Sequence, residues 1–180
     1  MKQLILKTKL KGRDEFEAKL DRAGIDLSPI YWQHDRVYLP RGFQHGANFP
    51  RLILRTEMRA IDRPAKYTLI LKRHLEGGGV DIVFSTKIDD YQSAAGMALQ
   101  LGFELASEVS RKRQEAKLDK NLGTLFLDKV EGLPNFYCKI ERELKDGDKP
   151  DFLREDLEAF LKQLEEPAFT RDSYAEILAK

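Results

Sequence analysis

In the segment QLILKTKLKG, residues 3–12, the character of the side chains alternates in the pattern typical of a β-strand with one charged face. One face would carry Leu4, Leu6, Thr8 and Leu10, and the other Gln3, Ile5, Lys7, Lys9 and Lys11. The second face has three lysines and no acidic residue, whereas a sheet face in water usually mixes both signs. The segment therefore predicts a first strand whose basic face needs a neutralising partner.

Composition limits the possible classes of protein. The chain has 180 residues, 42% of them hydrophobic and 34% charged, which predicts a single globular domain over residues 1–180. Its net charge of +1 gives no overall attraction to nucleic acid or to a membrane, so neither is expected as a partner. A single cysteine excludes a disulfide scaffold, and no apolar run approaches the roughly 20 residues of a membrane span, so the cytoplasm is the expected compartment.

Alternating segments dominate the rest of the chain. Strands are predicted over 3–11, 29–39, 51–61, 66–75, 80–88, 106–119, 123–130 and 135–145, and helices over 14–23, 89–103, 150–166 and 171–179. A proline-bracketed loop over 40–50 and a glycine turn over 77–79 complete the pattern. Antiparallel strands of similar length with interspersed helices predict an α+β fold built on a barrel or a strongly curved sheet.

Cations recur on the polar faces of these strands. Arg55, Lys72, Lys87, Arg111 and Arg113 each lie opposite the aliphatic side of a predicted strand. If the sheet closes, they line a tunnel suited to a multiply charged anion, because packed cations repel one another until an anion neutralises them. An open sheet with a solvated charged face is the alternative.

Further segments occur in an informative order. They are Gln33-x-Asp35-x-x-Tyr38, RLILR at 51–55, YTLILK at 67–72, SRKR at 110–113, LDKVEGLPNF at 127–136 and RDSYAEIL at 171–178. Together with the N-terminal strand and helix they resemble the CYTH domains, which include class IV adenylate cyclases, thiamine triphosphatases and inorganic triphosphatases. The resemblance implies an eight-stranded antiparallel β-barrel flanked by helices, the triphosphate tunnel.

The resemblance also implies a ligand and a set of binding residues. Lys7, Arg55, Lys72, Arg111 and Arg113 match the cations that bind phosphate in the family. Lys9 shares the face of Lys7 and joins them as a candidate. The expected ligand is a small-molecule polyphosphate or a nucleotide, and no catalytic residue is assigned.

The family's metal-binding carboxylates are largely missing. Its E-x-E-x-K signature reads Gln3-Leu4-Ile5-Leu6-Lys7 here, and the glutamates of its last strand align with Cys138 and Ile140, or with Lys139 and Glu141 after a one-residue shift. Mg²⁺ and Mn²⁺ require carboxylate oxygens as ligands. Asp81 and Glu141 are the remaining candidates for a metal site, with Mg²⁺ or Mn²⁺ as cofactor if the protein is catalytic.

Three functions follow from these observations. The leading one is nucleotide or polyphosphate binding, with metal-dependent triphosphate hydrolysis or nucleotidyl cyclisation if a metal is held. A binding module that has lost its catalytic carboxylates is the alternative, and a partly apolar tunnel for a different anion is the third. Asp128 is expected to be a structural turn or capping residue, and Trp32 a core residue or a stacking platform at the tunnel mouth.

Overall fold

The computed structural model describes residues 1–44, 49–75, 79–119, 122–164, 168–170 and 172–179. The predicted loop over 40–50 and the glycine turn over 77–79 lie partly outside these residues, as does Arg171 of the RDSYAEIL segment.

Eight strands form a closed antiparallel barrel. They are β1 (Lys2–Lys9), β2 (Tyr31–Pro40), β3 (Arg51–Met58), β4 (Lys66–Leu75), β5 (Val80–Ile88), β6 (Phe103–Lys117), β7 (Thr124–Val130) and β8 (Phe136–Leu144). Their order is β5-β4-β3-β2-β6-β7-β8-β1, and the pairing of β1 with β5 closes the sheet. A two-residue strand, β9 (Ala168–Phe169), pairs with the end of β1. This confirms the predicted α+β fold and its eight-stranded barrel.

Among the described residues, four helices lie around the barrel: α1 (Arg13–Arg22), α2 (Tyr91–Gln100), α3 (Pro150–Leu164) and α4 (Tyr174–Leu178). Helix α2 is shorter than predicted because both of its ends are set locally. The Asp90 side chain accepts a hydrogen bond from the Ser93 amide at the N-cap. Gly102, at φ +84°, adopts the left-handed conformation that follows the last turn.

The main hydrophobic core lies outside the barrel wall, beneath α1 and α3. Period-2 alternation turns Leu4 and Leu6 of β1 outward, where they pack with residues of β7 and β8. The amphipathic helix α3 covers them with Leu157 and Leu161, which are one turn apart. A charged face of each strand is therefore left for the barrel interior.

Helix α2 covers a second part of the outer wall. Its small residue Ala98 is buried against Tyr38 of β2 and Leu54 of β3.

In the described part of the chain, no helix combines the length and the apolar character needed to cross a bilayer.

Candidate functional site

The barrel interior contains a cavity that is partly open to solvent, called here the central cavity. Its empty volume, including the open mouth, is about 890 Å³. Six cationic side chains from the described part of the chain line it, namely Lys7, Arg51, Arg55, Lys72, Arg111 and Lys139. Within the described residues only two carboxylates, Asp35 and Asp81, line it as well. The cavity is therefore a cationic environment.

Lys7 is buried among other cations. It lies directly opposite Lys139 across the β1–β8 ladder, and its ammonium donates to the backbone carbonyl of Asp172. The ammonium also lies 4.3 Å from the centroid of the Tyr174 ring. Burial, with repulsion by Lys139 and Lys72, lowers the pKa of Lys7 to about 7.

Strand β8 adopts the shifted alignment of the two that the sequence allowed. Lys139 and Glu141 face inward as an ion pair, while Cys138 and Ile140 lie in the apolar core outside the wall. Burial lowers the pKa of Lys139 to about 8, against the opposing effect of Glu141. Burial alone would raise the pKa of Glu141, but Lys139 and Lys72 outweigh it and hold that pKa well below its usual range.

Asp35 connects two arginines from neighbouring strands. Arg55 donates to both of its oxygens, at 2.7 and 2.9 Å, and Arg111 donates to Oδ2 at 2.5 Å. Gln33 accepts two further hydrogen bonds from Arg111. Burial would raise the pKa of Asp35, but the two guanidinium groups hold it well below its usual range. Both arginines are thus fixed in orientation before any ligand arrives.

Arg113 faces inward but lies beside the central cavity rather than lining it. It forms two 2.6 Å hydrogen bonds with Asp128, whose Oδ2 also accepts from the Tyr174 hydroxyl at 2.7 Å. The expectation that Asp128 is a turn or capping residue is wrong, because it lies within β7 and is fully buried. Its pKa falls to about 2, since Arg113 outweighs the effect of burial.

Asp81 is engaged on both oxygens. Lys72 Nζ lies 2.7 Å from Oδ2, and His74 Nδ1 lies 2.8 Å from Oδ1. Burial would raise the pKa of Asp81, but Lys72 and His74 lower it.

The residues present do not fit a preformed site for Mg²⁺ or Mn²⁺. Both candidate carboxylates, Asp81 and Glu141, are already occupied by lysines. The described residues contain no group of three or more His, Cys, Asp or Glu side chains placed to hold a metal ion. A hard divalent cation needs more oxygen ligands than this arrangement offers.

Two further candidates from the sequence lie away from the cavity. Lys9 is exposed at the end of β1, opposite Tyr137 and Ala168, and does not line the cavity. Trp32 points to the outer side of the wall, where it is partly exposed, because Gln33 takes the inward position on β2. Both expectations for Trp32, the core and the tunnel mouth, are therefore wrong.

Three lining residues had no role assigned from the sequence: Arg51, Lys139 and Tyr174. Alternation from Arg55 through Ile53 would have placed Arg51 on the inward face. Tyr174 reaches the cavity because α4 lies against the barrel end, with Ser173 and Glu176 forming a capping box. Arg51 Nη1 lies 3.5 Å from Glu176 Oε2 and connects α4 to β3.

The comparisons with known proteins agree with this architecture. The CYTH domain model matches residues 51–175, and the chain therefore belongs to the CYTH domain family. No curated protein matches the chain.

Solved structures share the fold at low sequence identity. The PH1819 protein of Pyrococcus horikoshii OT3 is 24% identical with a TM-score of 0.83, covering 98% of both chains. An adenylate cyclase candidate from Vibrio parahaemolyticus is 21% identical with a TM-score of 0.80, covering 99% of this chain and 98% of its own. HpAC1 from Hippeastrum, described as having a dominant triphosphatase activity, is 16% identical with a TM-score of 0.64, covering 99% and 95%.

Proposed function

We propose that the central cavity binds a nucleoside triphosphate or an inorganic polyphosphate. The observation that carries this proposal is the excess of cations in the cavity, where six line the wall beside two carboxylates. Lys7, Arg55, Lys72 and Arg111 would contact phosphate oxygens, and Arg113 would hold the adjacent wall in shape through Asp128. Guanidinium groups suit this role, since their donors match the geometry of phosphate.

The buried lysines support the same proposal. Lys7 and Lys139 have pKa values of about 7 and about 8, so both are partly neutral near pH 8. A bound polyanion would favour their charged forms and raise both pKa values. Ligand binding at such a pH should therefore take up protons, and affinity should fall as the pH rises further.

Metal-dependent triphosphate hydrolysis or nucleotidyl cyclisation is the second candidate function. It is favoured by the positions of Asp81 and Glu141, which lie on either side of β1, opposite Gln3 and Ile5. The Hippeastrum protein is described as having a dominant triphosphatase activity, which is one of these two reactions. The lysines that engage both carboxylates favour binding without a metal as the first candidate.

Calorimetric titration with tripolyphosphate and with ATP, each with and without Mn²⁺, tests the proposal, and the mixtures are assayed for product. Tight binding that is indifferent to Mn²⁺ and gives no product is the expected result. Mn²⁺-dependent binding with product would establish the second candidate instead. Absence of binding to either compound would overturn the proposal, and binding of a smaller or lipidic anion alone would indicate a tunnel for a different ligand.

A pair of variants on one strand identifies the site. Lys7→Met should weaken tripolyphosphate binding about tenfold or more, because a buried charge-assisted contact is lost. Lys9→Met is the matched control, since Lys9 is exposed two residues away and outside the cavity. Equal losses in the two variants would indicate general surface electrostatics rather than a cavity site.

A further inference from the structure

A second basic region lies on the outer side of the barrel wall, across β2, β6, β7 and β8. Trp32 pairs with Lys112, Lys112 with Lys129, and Lys129 with Phe136, in four successive strands. Direct partners in antiparallel strands point to the same face. The result is a row of two lysines between two aromatic residues, called here the outer groove.

The two lysines of the outer groove face each other without a neutralising acid. Like charges directly opposite across a ladder are unfavourable. Within the described part of the chain, neither ammonium lies at ion-pair distance from a carboxylate. Lys129 Nζ donates to the carbonyls of Leu133 and Pro134 at 2.9 and 2.7 Å, which fixes it in position. A bound anion would therefore reduce the repulsion between Lys112 and Lys129.

Two adjoining depressions in the wall share Lys112 and Lys129. One also contains Arg13 and Phe136, and the other Trp32 and Glu131, the single carboxylate among the described lining residues of both. The Arg13 guanidinium and the Lys129 ammonium lie 5.3 and 5.2 Å from the centroid of the Phe136 ring, so two cations converge there. Arg13 is also oriented by Glu17, at 2.8 Å.

The aromatic end of the outer groove offers a stacking surface. The Trp32 ring is parallel to that of His34, with an interplanar angle of 3° and 5.6 Å between centroids. Cations beside an exposed aromatic ring are the elements that bind a phosphate attached to a planar base. The empty volumes of the two depressions, about 490 and 710 Å³, suit a small molecule rather than an extended chain.

We propose that the outer groove binds a nucleotide, with its phosphate between Lys112, Lys129 and Arg13 and its base against Trp32. The side chains of Lys112 and Arg111 alternate along β6 and point to opposite sides of the same wall, although Arg111 and Arg113 also border the two depressions. The residues proposed to bind the nucleotide are not those proposed above for the central cavity, so this proposal does not depend on the earlier one.

Trp32 is the only tryptophan of the chain, so its fluorescence reports directly on the groove. Titration of the intact protein with AMP should quench this emission saturably. Ribose 5-phosphate should bind about tenfold more weakly, because one base–aromatic stack is lost. Equal affinity for the two compounds, or the absence of quenching by AMP at millimolar concentration, would overturn the proposal.

Variants on one strand test the groove. Lys112→Ala should weaken the AMP response about tenfold, since a charge-assisted contact to phosphate is removed from an exposed position that the fold does not need. Lys117→Ala is the matched control, an exposed lysine on the same strand. Equal losses in Lys112→Ala and Lys117→Ala, or a response that Lys112→Ala retains in full, would reject the groove.

Discussion

Strand β8 has two faces that illustrate how this barrel differs between its outer and inner walls. Cys138 and Ile140 are fully buried outside, under a layer of helices, whereas Lys139 and Glu141 face the hollow interior. Each fully buried aliphatic side chain contributes about 1.5–3 kcal/mol relative to exposure. Buried ion pairs contribute little net stability, because desolvation offsets their attraction. The helices therefore supply the hydrophobic stabilisation that leaves the interior available for charged side chains.

The largest expected effect comes from breaking an ion pair of the inner wall. Asp128→Ala removes the carboxylate that both Arg113 and Tyr174 use, and leaves a guanidinium buried without its partner. We expect the free energy of unfolding to fall by about 3–5 kcal/mol. Urea denaturation measures the change.

The double variant Arg113→Met with Asp128→Ala sharpens this test. It removes the stranded charge together with its partner, so it should be more stable than Asp128→Ala alone. A double variant that is less stable than the single one would show that Arg113 stabilises the wall without Asp128.

Truncating a core side chain on the outer wall should lower the free energy of unfolding slightly less. Ile140→Ala opens a cavity in the core beneath α3, and we expect a loss of about 2–5 kcal/mol in the same measurement. Phe84→Ala is the matched control on β5, since Phe84 is 61% exposed, and it should cost less than about 1 kcal/mol. Tripolyphosphate affinity should stay unchanged in Ile140→Ala, because the side chain points away from the cavity. Similar losses in both variants would refute a core placed beneath the helices.

The effect that is smallest per step is a gradual dependence of stability on pH. The folded-state pKa of Lys7, about 7, lies below its ordinary value of 10.5, so between these values the unfolded chain binds more protons. Stability without ligand should therefore increase with pH above about 7, by up to about 1.4 kcal/mol per pH unit from this group. Below pH 7 Lys7 is charged in both states, and its contribution no longer changes.

Urea denaturation of the wild type and of Lys7→Met, at several pH values in this range, measures that slope. The groups that face Lys7 are Lys139, Lys72, Asp128 and Arg111. The variant should show a shallower increase, with the remainder coming from Lys139. Parallel curves for the two proteins would contradict the burial of a neutral Lys7.

Alternation within single strands was enough to predict much of the inner wall. Lys7, Arg55, Lys72 and Arg111 lie on the inward faces expected from a period of two, and the family resemblance predicted the barrel. The position of Asp35 between Arg55 and Arg111 could not be derived in this way. It depends on β2 lying between β3 and β6, an order set by contacts between distant parts of the chain.

Two other features also lay beyond local patterns. The alignment of β8 is decided by which of its faces α3 covers, because a one-residue slip exchanges the two faces. Trp32 was expected in the core or at the tunnel mouth, but it lies on the outer side of the wall, where it is partly exposed, and the inward position on its strand belongs to Gln33, which binds Arg111. Tertiary packing thus decided between two alignments of β8 that the sequence left open, and it overturned both expectations for Trp32.

The closure of the barrel has a consequence for how the protein is made. Strand β1 is synthesised first, yet its neighbours are β8 and β5, and its register pairs Leu4 with Arg142 and with Val80. Such pairing between strands distant in sequence is slow to form, because a long loop must be closed before any contact compensates for it. During synthesis on the ribosome, β1 must wait for β5 and then for β8 to emerge before both of its edges are paired. The cationic cavity therefore comes into existence only at the end of folding.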